Sequence, residues 1–206
     1  METMEAIAAR RSIRRFKDQP LAQDLIQQVL HAATLAPSGK NRQPWRFYVV
    51  QGEQRAEMVR VMREGMANLE QQGIETGSAQ WTVQVMAEAP VTVFVFNPFA
   101  EWSHIPTEIG DWMMNTVDVQ SVGAAIQNML LAAIALGLGS LWICDVFYAC
   151  DELSAWLGES SQMIAAAVST MWKVTRSRTA PISGTSCSMW VLWLRSAMSE
   201  ASRLLK

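Results

Sequence analysis

Two apolar rhythms alternate along the chain. Leu21, Leu25, Ile26, Val29, Leu30 and Ala33 recur at three- and four-residue steps and predict an amphipathic helix over about 21–35. Asp18-Gln19-Pro20 reads as its start signal, and Pro37-Ser38-Gly39 as its stop and the opening of a loop. Met58, Val61, Met62 and Met66 mark one side of a second helix over 55–69, and 73–78 is a turn-rich break. Short helices are expected over 4–11 and 151–157. Val122, Ile126, Met129, Leu130, Ala133 and Ile134 keep one stripe over about three turns, until Gly137 and Gly139 stop it. Strands are predicted where aromatic and β-branched residues run together, at 45–50, 90–96 and 140–146. The run at 90–96 is apolar throughout, which predicts burial on both faces. Residues 163–168 fit a strand or the end of the preceding helix. The stretch 97–116, with Pro98, Pro106 and Gly110 among Trp102 and Trp112, reads as irregular. There is no internal repeat and no linker long enough to divide domains.

With 206 residues, half of them hydrophobic and 17% charged, the chain has material for one good core. That excludes a disordered chain, a collagen-like chain and a disulfide scaffold. No apolar run reaches about 18 residues, the nearest (129–143) being broken by Gly137, Gly139 and Ser140, so no membrane span is predicted. The start, METMEAIAARR, has no apolar signal core, and three cysteines fit a reducing compartment. A cytoplasmic protein is expected. Charge is segregated: residues 1–63 carry a net +5, residues 64–172 a net −12 with no Lys or Arg, and residues 173–206 a net +5. A long nucleic acid would be repelled by the middle, so no nucleic-acid partner is expected. A small anion held where the basic ends meet fits better, the plain alternative being ends that only solvate the fold.

Most side-chain chemistries are missing. His31 and His104 have no companion residues at zinc-site spacing, so no metal is expected. Cys144 and Cys150 are six apart, neither a redox pair nor a metal hook, and read as buried bystanders. There is no G-x-S-x-G. Gly137-Leu138-Gly139 is followed by Trp142 where a dinucleotide fingerprint needs Gly, and Ser38-Gly39-Lys40 lacks the upstream Gly of a P-loop. No catalytic side chain is therefore named; a cofactor is expected to carry the reactivity. Two segments suit one. Arg10-Arg11-Ser12-Ile13-Arg14-Arg15 offers planar donors for a phosphate. The run 36–47, APSGKNRQPWRF, joins a tight turn to amide side chains that match a heteroaromatic ring edge. Taken alone, each is as easily a solvated surface or a plain loop.

Together with VQSVGAAIQNMLLAAIALGLGSLWICDVF, in that order and spacing, these segments resemble the FMN-dependent nitroreductase family from about residue 4 to about residue 168. The resemblance implies an α+β fold: a mixed, mostly antiparallel sheet flanked by helices. It also implies a homodimer with FMN at the subunit interface and the central helix as part of that interface, which suits the small residues around Gly123 to Ala125. By motif position, Arg10, Arg11, Ser12 and Arg14 match the residues that hold the FMN phosphate and ribityl chain. Pro37, Ser38, Gly39, Asn41 and Gln43 match the segment lining the flavin, part of it from the second subunit. Leu141, Trp142, Ile143 and Cys144 match the strand along the isoalloxazine, and Gln120 and Ser121 lie near the start of the interface helix. Trp102, Trp112 and Met113 are lid candidates or ordinary packing residues.

The implied reaction is ping-pong: NAD(P)H gives a hydride to flavin N5, and a small oxidised substrate, a nitroaromatic or quinone, takes it. Alternatives are a same-fold flavin enzyme with other chemistry (flavin destruction or reductive dehalogenation) and a non-catalytic flavin-binding protein. The resemblance divides the chain into an FMN-binding domain over 1–168 and a divergent tail over 169–206, where it stops abruptly. A shifted reading frame would explain such a stop; a genuine divergent tail is the alternative. If the tail is aberrant, a phosphate contact is expected to be lost and Arg176 and Arg178 are the candidates to replace it; the apolar run 189–194 reads as a strand, a membrane-surface patch or an aggregation-prone segment.

Overall fold

The computed structural model describes residues 1–17, 19–101 and 108–171. In chain order the elements are α1 (Thr3–Ala9), α2 (Gln23–Thr34), β1 (Arg46–Gln51), α3 (Gln54–Gln71), α4 (Ala79–Glu88), β2 (Val91–Glu101), α5 (Ile109–Ala135), β3 (Leu138–Ile143), α6 (Cys150–Leu157) and β4 (Ser161–Met171). Tight 3₁₀ turns occupy Gly39–Asn41 and Asp145–Ala149. The sheet order is β1-β2-β4-β3 and every neighbouring pair is antiparallel. The one parallel feature among the described residues is a single bridge between Ser12 and Ser140.

β2 explains the layering. Its period-2 alternation sends Val91, Val93 and Val95 to a core shared with α2 and α5, and Phe94 and Phe96 to a core shared with α3, α4 and α6. The continuous apolar run 90–96 is thus buried on both faces, as its composition predicts. Phe94, Phe96, Met58, Met62 and Met86 are fully buried, each favouring the fold by roughly 1.5–3 kcal/mol. By length and composition α5 is apolar enough to cross a membrane. Its buried side, including Val122, Ala125, Ile126, Met129 and Ala133, packs inside the molecule, so it is a core helix.

The stretch 97–116 is more regular than its composition suggests. β2 continues to Glu101 and α5 begins at Ile109. Pro98 is accommodated because the β2–β4 register shifts between Asn97 and Glu101, where the pairing is interrupted. Gly110 sits in the first turn of α5, where it costs the helix little. α4 falls in a stretch where no element is predicted; buried Ala79, Val83, Val85 and Met86 hold it. β4 is a strand rather than a helix end, and it runs past the 168 boundary, pairing Ser169 with Val91 and with Ser140. Asp18 of the start signal, Trp102, His104 and Pro106, and the tail features from residue 172 onward lie outside the described residues.

Candidate functional site

α1 ends at Ala9 because Arg10 turns to extended backbone (φ −57°, ψ 128°). The chain then lies along β3, the edge strand: Ser12 bridges Ser140, and the Ile13 N–H donates to the Ser140 carbonyl at 3.0 Å. This brings two of the three predicted segments together. Arg10 and Ser12 line a cleft of about 410 Å³ with Gln127 and Leu130 of α5 and Ser140, Leu141 and Trp142 of β3. Arg14 lines a second cleft, of about 380 Å³, with Ser78, Trp81 and Thr82 at the start of α4 and residues 141–145. Leu141 and Trp142 belong to both, so the clefts form two ends of one groove over β3. Neither Arg10 nor Arg14 has a carboxylate partner among the described residues. Arg11 is turned elsewhere: its Nη1 donates to the carbonyls of Ala8 and Arg10, both at 2.8 Å, and it lines neither cleft. A larger cleft, about 550 Å³ between α3 and α4, contains none of the predicted segments.

The third segment packs elsewhere. Ser38 is half-buried and its Oγ accepts from the Gln43 N–H at 3.0 Å. The Gly39 N–H donates to Ser121 Oγ at 3.2 Å, and a Cβ on Gly39 would collide with Val117. Asn41 Oδ1 accepts from Gln43 Nε2 at 3.3 Å; Pro37, Asn41 and Gln43 are exposed. Arg42, not singled out from sequence, makes a two-pronged ion pair with Asp118. The loop therefore rests on the side of α5 that carries Val117, Asp118 and Ser121. The groove lies against the side carrying Gly123, Gln127 and Leu130, where Gly123 faces Trp142. At 100° per residue these two sides are roughly 165° apart. One subunit thus presents its loop and its groove on opposite faces of the same helix.

β3 explains the exposure of its own residues. Leu141 and Ile143 point into the core, and Trp142, one position out of phase, points to the groove. Cys144 is exposed rather than buried, because it follows the last strand residue and its backbone has already turned to αR (φ −102°, ψ −20°). Desolvation and the neighbouring Asp145 push its thiol upward. Cys150 is buried, and burial pushes its thiol up to about 12. Neither has the lowered pKa of a nucleophilic thiol. His31 is exposed in the last turn of α2, and no group of metal-binding side chains occurs among the described residues.

Sequence reasoning missed Ser78, Trp81, Thr82, Gln127 and Asp145. The first three belong with α4, whose Ala79, Val83 and Met86 do stand at i, i+4 and i+7. That signal is short, and Ser78, which stands at the N-cap, makes no side-chain cap bond to strengthen it. Asp145 accepts a hydrogen bond from the Thr82 hydroxyl, which ties α4 to the end of β3.

The chain matches the sequence pattern of the Nitroreductase family over residues 7–172. A provisionally named NADH dehydrogenase/NAD(P)H nitroreductase of Archaeoglobus fulgidus is 33% identical over 142 residues, 69% of this chain and 67% of that protein. A likewise provisionally named protein of Methanothermobacter thermautotrophicus is 34% identical over 142 residues, 69% of this chain and 60% of its own length. Among solved structures, a nitroreductase with bound FMN from Desulfitobacterium hafniense is 27% identical. It covers 91% of this chain and 100% of that one, with a TM-score of 0.65. A pattern that spans nearly all the described residues, carried on the same fold, places this chain in the nitroreductase family.

Proposed function

We propose that the groove over β3 binds FMN and that the chain works, as a homodimer, as an NAD(P)H oxidoreductase for nitroaromatic or quinone-type acceptors. The observation that carries this is the groove's lining. One end offers Arg10 and Ser12, the other offers Arg14 and Asp145 beside the Trp81 indole, and Trp142 lines both. The donor set fits a phosphorylated ring: guanidiniums free of carboxylates bind phosphate through charge-assisted bonds of roughly 1.5–3 kcal/mol each, and indoles cover an aromatic face. The groove's hydroxyl–carboxylate pair, Thr82 and Asp145, is taken up in tying α4 to the end of β3, and the chain's part is to bind, orient and exclude water. Bound FMN would supply the redox step, accepting a hydride from NAD(P)H at N5 and passing it on to the acceptor.

The dimer reading rests on α5. With the 38–43 loop and the groove on opposite faces of one helix, a second copy is what brings a loop to a groove. A row of exposed apolar residues on α5, Ile109, Trp112 and Met113, is the surface such a partner would cover. Free thiols at Cys144 and Cys150 suit a reducing, cytoplasmic setting.

The test is the visible spectrum of the purified protein, followed by NADPH oxidation with and without a nitroaromatic. A yellow dimer whose NADPH oxidation accelerates with the acceptor is expected. A colourless protein that takes up no added FMN would overturn the reading.

A further inference from the structure

Three non-glycine residues of the 38–43 loop adopt left-handed backbone: Lys40 (φ 53°), Asn41 (φ 53°) and Gln43 (φ 51°). Asn tolerates this region; Lys and Gln are crowded there by their own Cβ and need an external hold. Between them stands Arg42, in ordinary right-handed backbone (φ −68°, ψ −26°). Its Nε donates to Asp118 Oδ1 at 3.1 Å and its Nη2 to Oδ2 at 3.0 Å. The Asp118 side chain is 3% exposed, and the Arg42 guanidinium lies 4.4 Å from the centroid of Phe99. A single side chain thus fastens the loop to α5 and to the end of β2.

We propose that Arg42, through Asp118, is the positioning residue that locks the 38–43 loop in its left-handed form and thereby sets how tightly the flavin is gripped. This rests on the reading of that loop as lining the flavin. The two-pronged bond fixes direction as well as distance, which a single-point lysine contact does not. Because Asp118 is buried, losing Arg42 leaves a charge without its counter-ion, so the two residues act as a unit. Their removal together should hurt no more than the worse single loss.

The variants are Arg42→Gln, Arg42→Lys, Asp118→Asn and the double variant Arg42→Gln/Asp118→Asn. The first readout needs no cofactor. The chain has four lysines, and an endoproteinase specific for lysine reports the loop through cleavage after Lys40. The second is the FMN dissociation constant with the visible flavin spectrum. Arg42→Gln and Asp118→Asn are expected to speed the Lys40 cut and weaken FMN by about tenfold, with a shifted flavin band. Arg42→Lys should recover part of both effects, and it decides the matter if Arg42→Gln does not fold. An unchanged cleavage rate in folded Arg42→Gln overturns the lock. So does unchanged FMN affinity and spectrum in that variant when the unmodified protein binds FMN. If the unmodified protein takes up no FMN, the flavin reading fails and the cleavage rate alone judges the lock.

Discussion

The Ile13 N–H donates to the Ser140 carbonyl at 3.0 Å, and this bond sets the arginine segment against the strand that floors the groove. It also occupies an edge group of β3 that would otherwise be open to another strand. Ile13→Pro removes the donor while leaving Arg10 and Arg14 in place. FMN affinity is expected to fall by roughly fivefold, in line with one net hydrogen bond, and the amides of β3 should exchange faster. Equal affinity in a folded variant would mean that the arginines reach the ligand without this edge contact.

Trp81 is 74% exposed yet lines the ring end of the groove. Its side chain contributes little to the core, so Trp81→Ala should change stability by no more than about 0.5 kcal/mol. Loss of an aromatic wall should weaken ring binding by roughly 0.5–1.5 kcal/mol, read by titration of flavin fluorescence. A variant that melts early but binds FMN normally would show Trp81 to be a packing residue.

Gly39 has no room for a side chain beside Val117. Gly39→Ala is expected to destabilise by roughly 1–3 kcal/mol through overpacking. Adding Val117→Ala should return most of that loss. Thermal melts of the single and double variants check the pair, and failure of the second substitution to help would place the strain elsewhere.

Glu159 links β1 to the start of β4. Its Oε2 accepts from Arg46 Nη1 at 2.6 Å and from the Tyr48 hydroxyl at 3.0 Å, and its Oε1 accepts from the Ser160 and Ser161 N–H groups, both at 3.0 Å. Burial pushes its pKa up, but hydrogen bonds from Ser161, Arg46 and Tyr48 outweigh that and bring it to about 2. A folded value below the ordinary one means that stability is fully present above about pH 4.5 and lost as pH falls toward 2. The contribution near neutrality is about 3 kcal/mol. Melting temperature against pH should fall through this window, and Glu159→Gln should flatten part of the fall. Parallel curves for the two proteins would remove Glu159 as the cause.

Trp112 and Met113 are 59% and 55% exposed on α5. If a second copy covers them, Trp112→Glu with Met113→Glu should give monomers in sedimentation and lose FMN together with the dimer. A monomer that still holds FMN would show the groove to be complete in one subunit.

Local patterns determined much of this protein. The continuous apolar run 90–96 gives a strand buried on both faces, the stripe from Val122 to Ile134 gives the core of α5, and Pro37-Ser38-Gly39 gives the loop after α2, because composition, periodicity and turn chemistry act over a few residues. Arg10 and Ser12 are legible as a cluster of phosphate donors, whereas Trp142 stands out only through the family resemblance. Tertiary packing decided the rest. α4 has too short a stripe to declare itself and exists through burial of Val83 and Met86, and with it come Trp81 and Thr82. Arg42 finds Asp118, 76 positions away, only because the loop docks on α5. That the loop and the groove stand on opposite sides of α5 follows from helical phase combined with packing, and neither is visible until the helix has its neighbours.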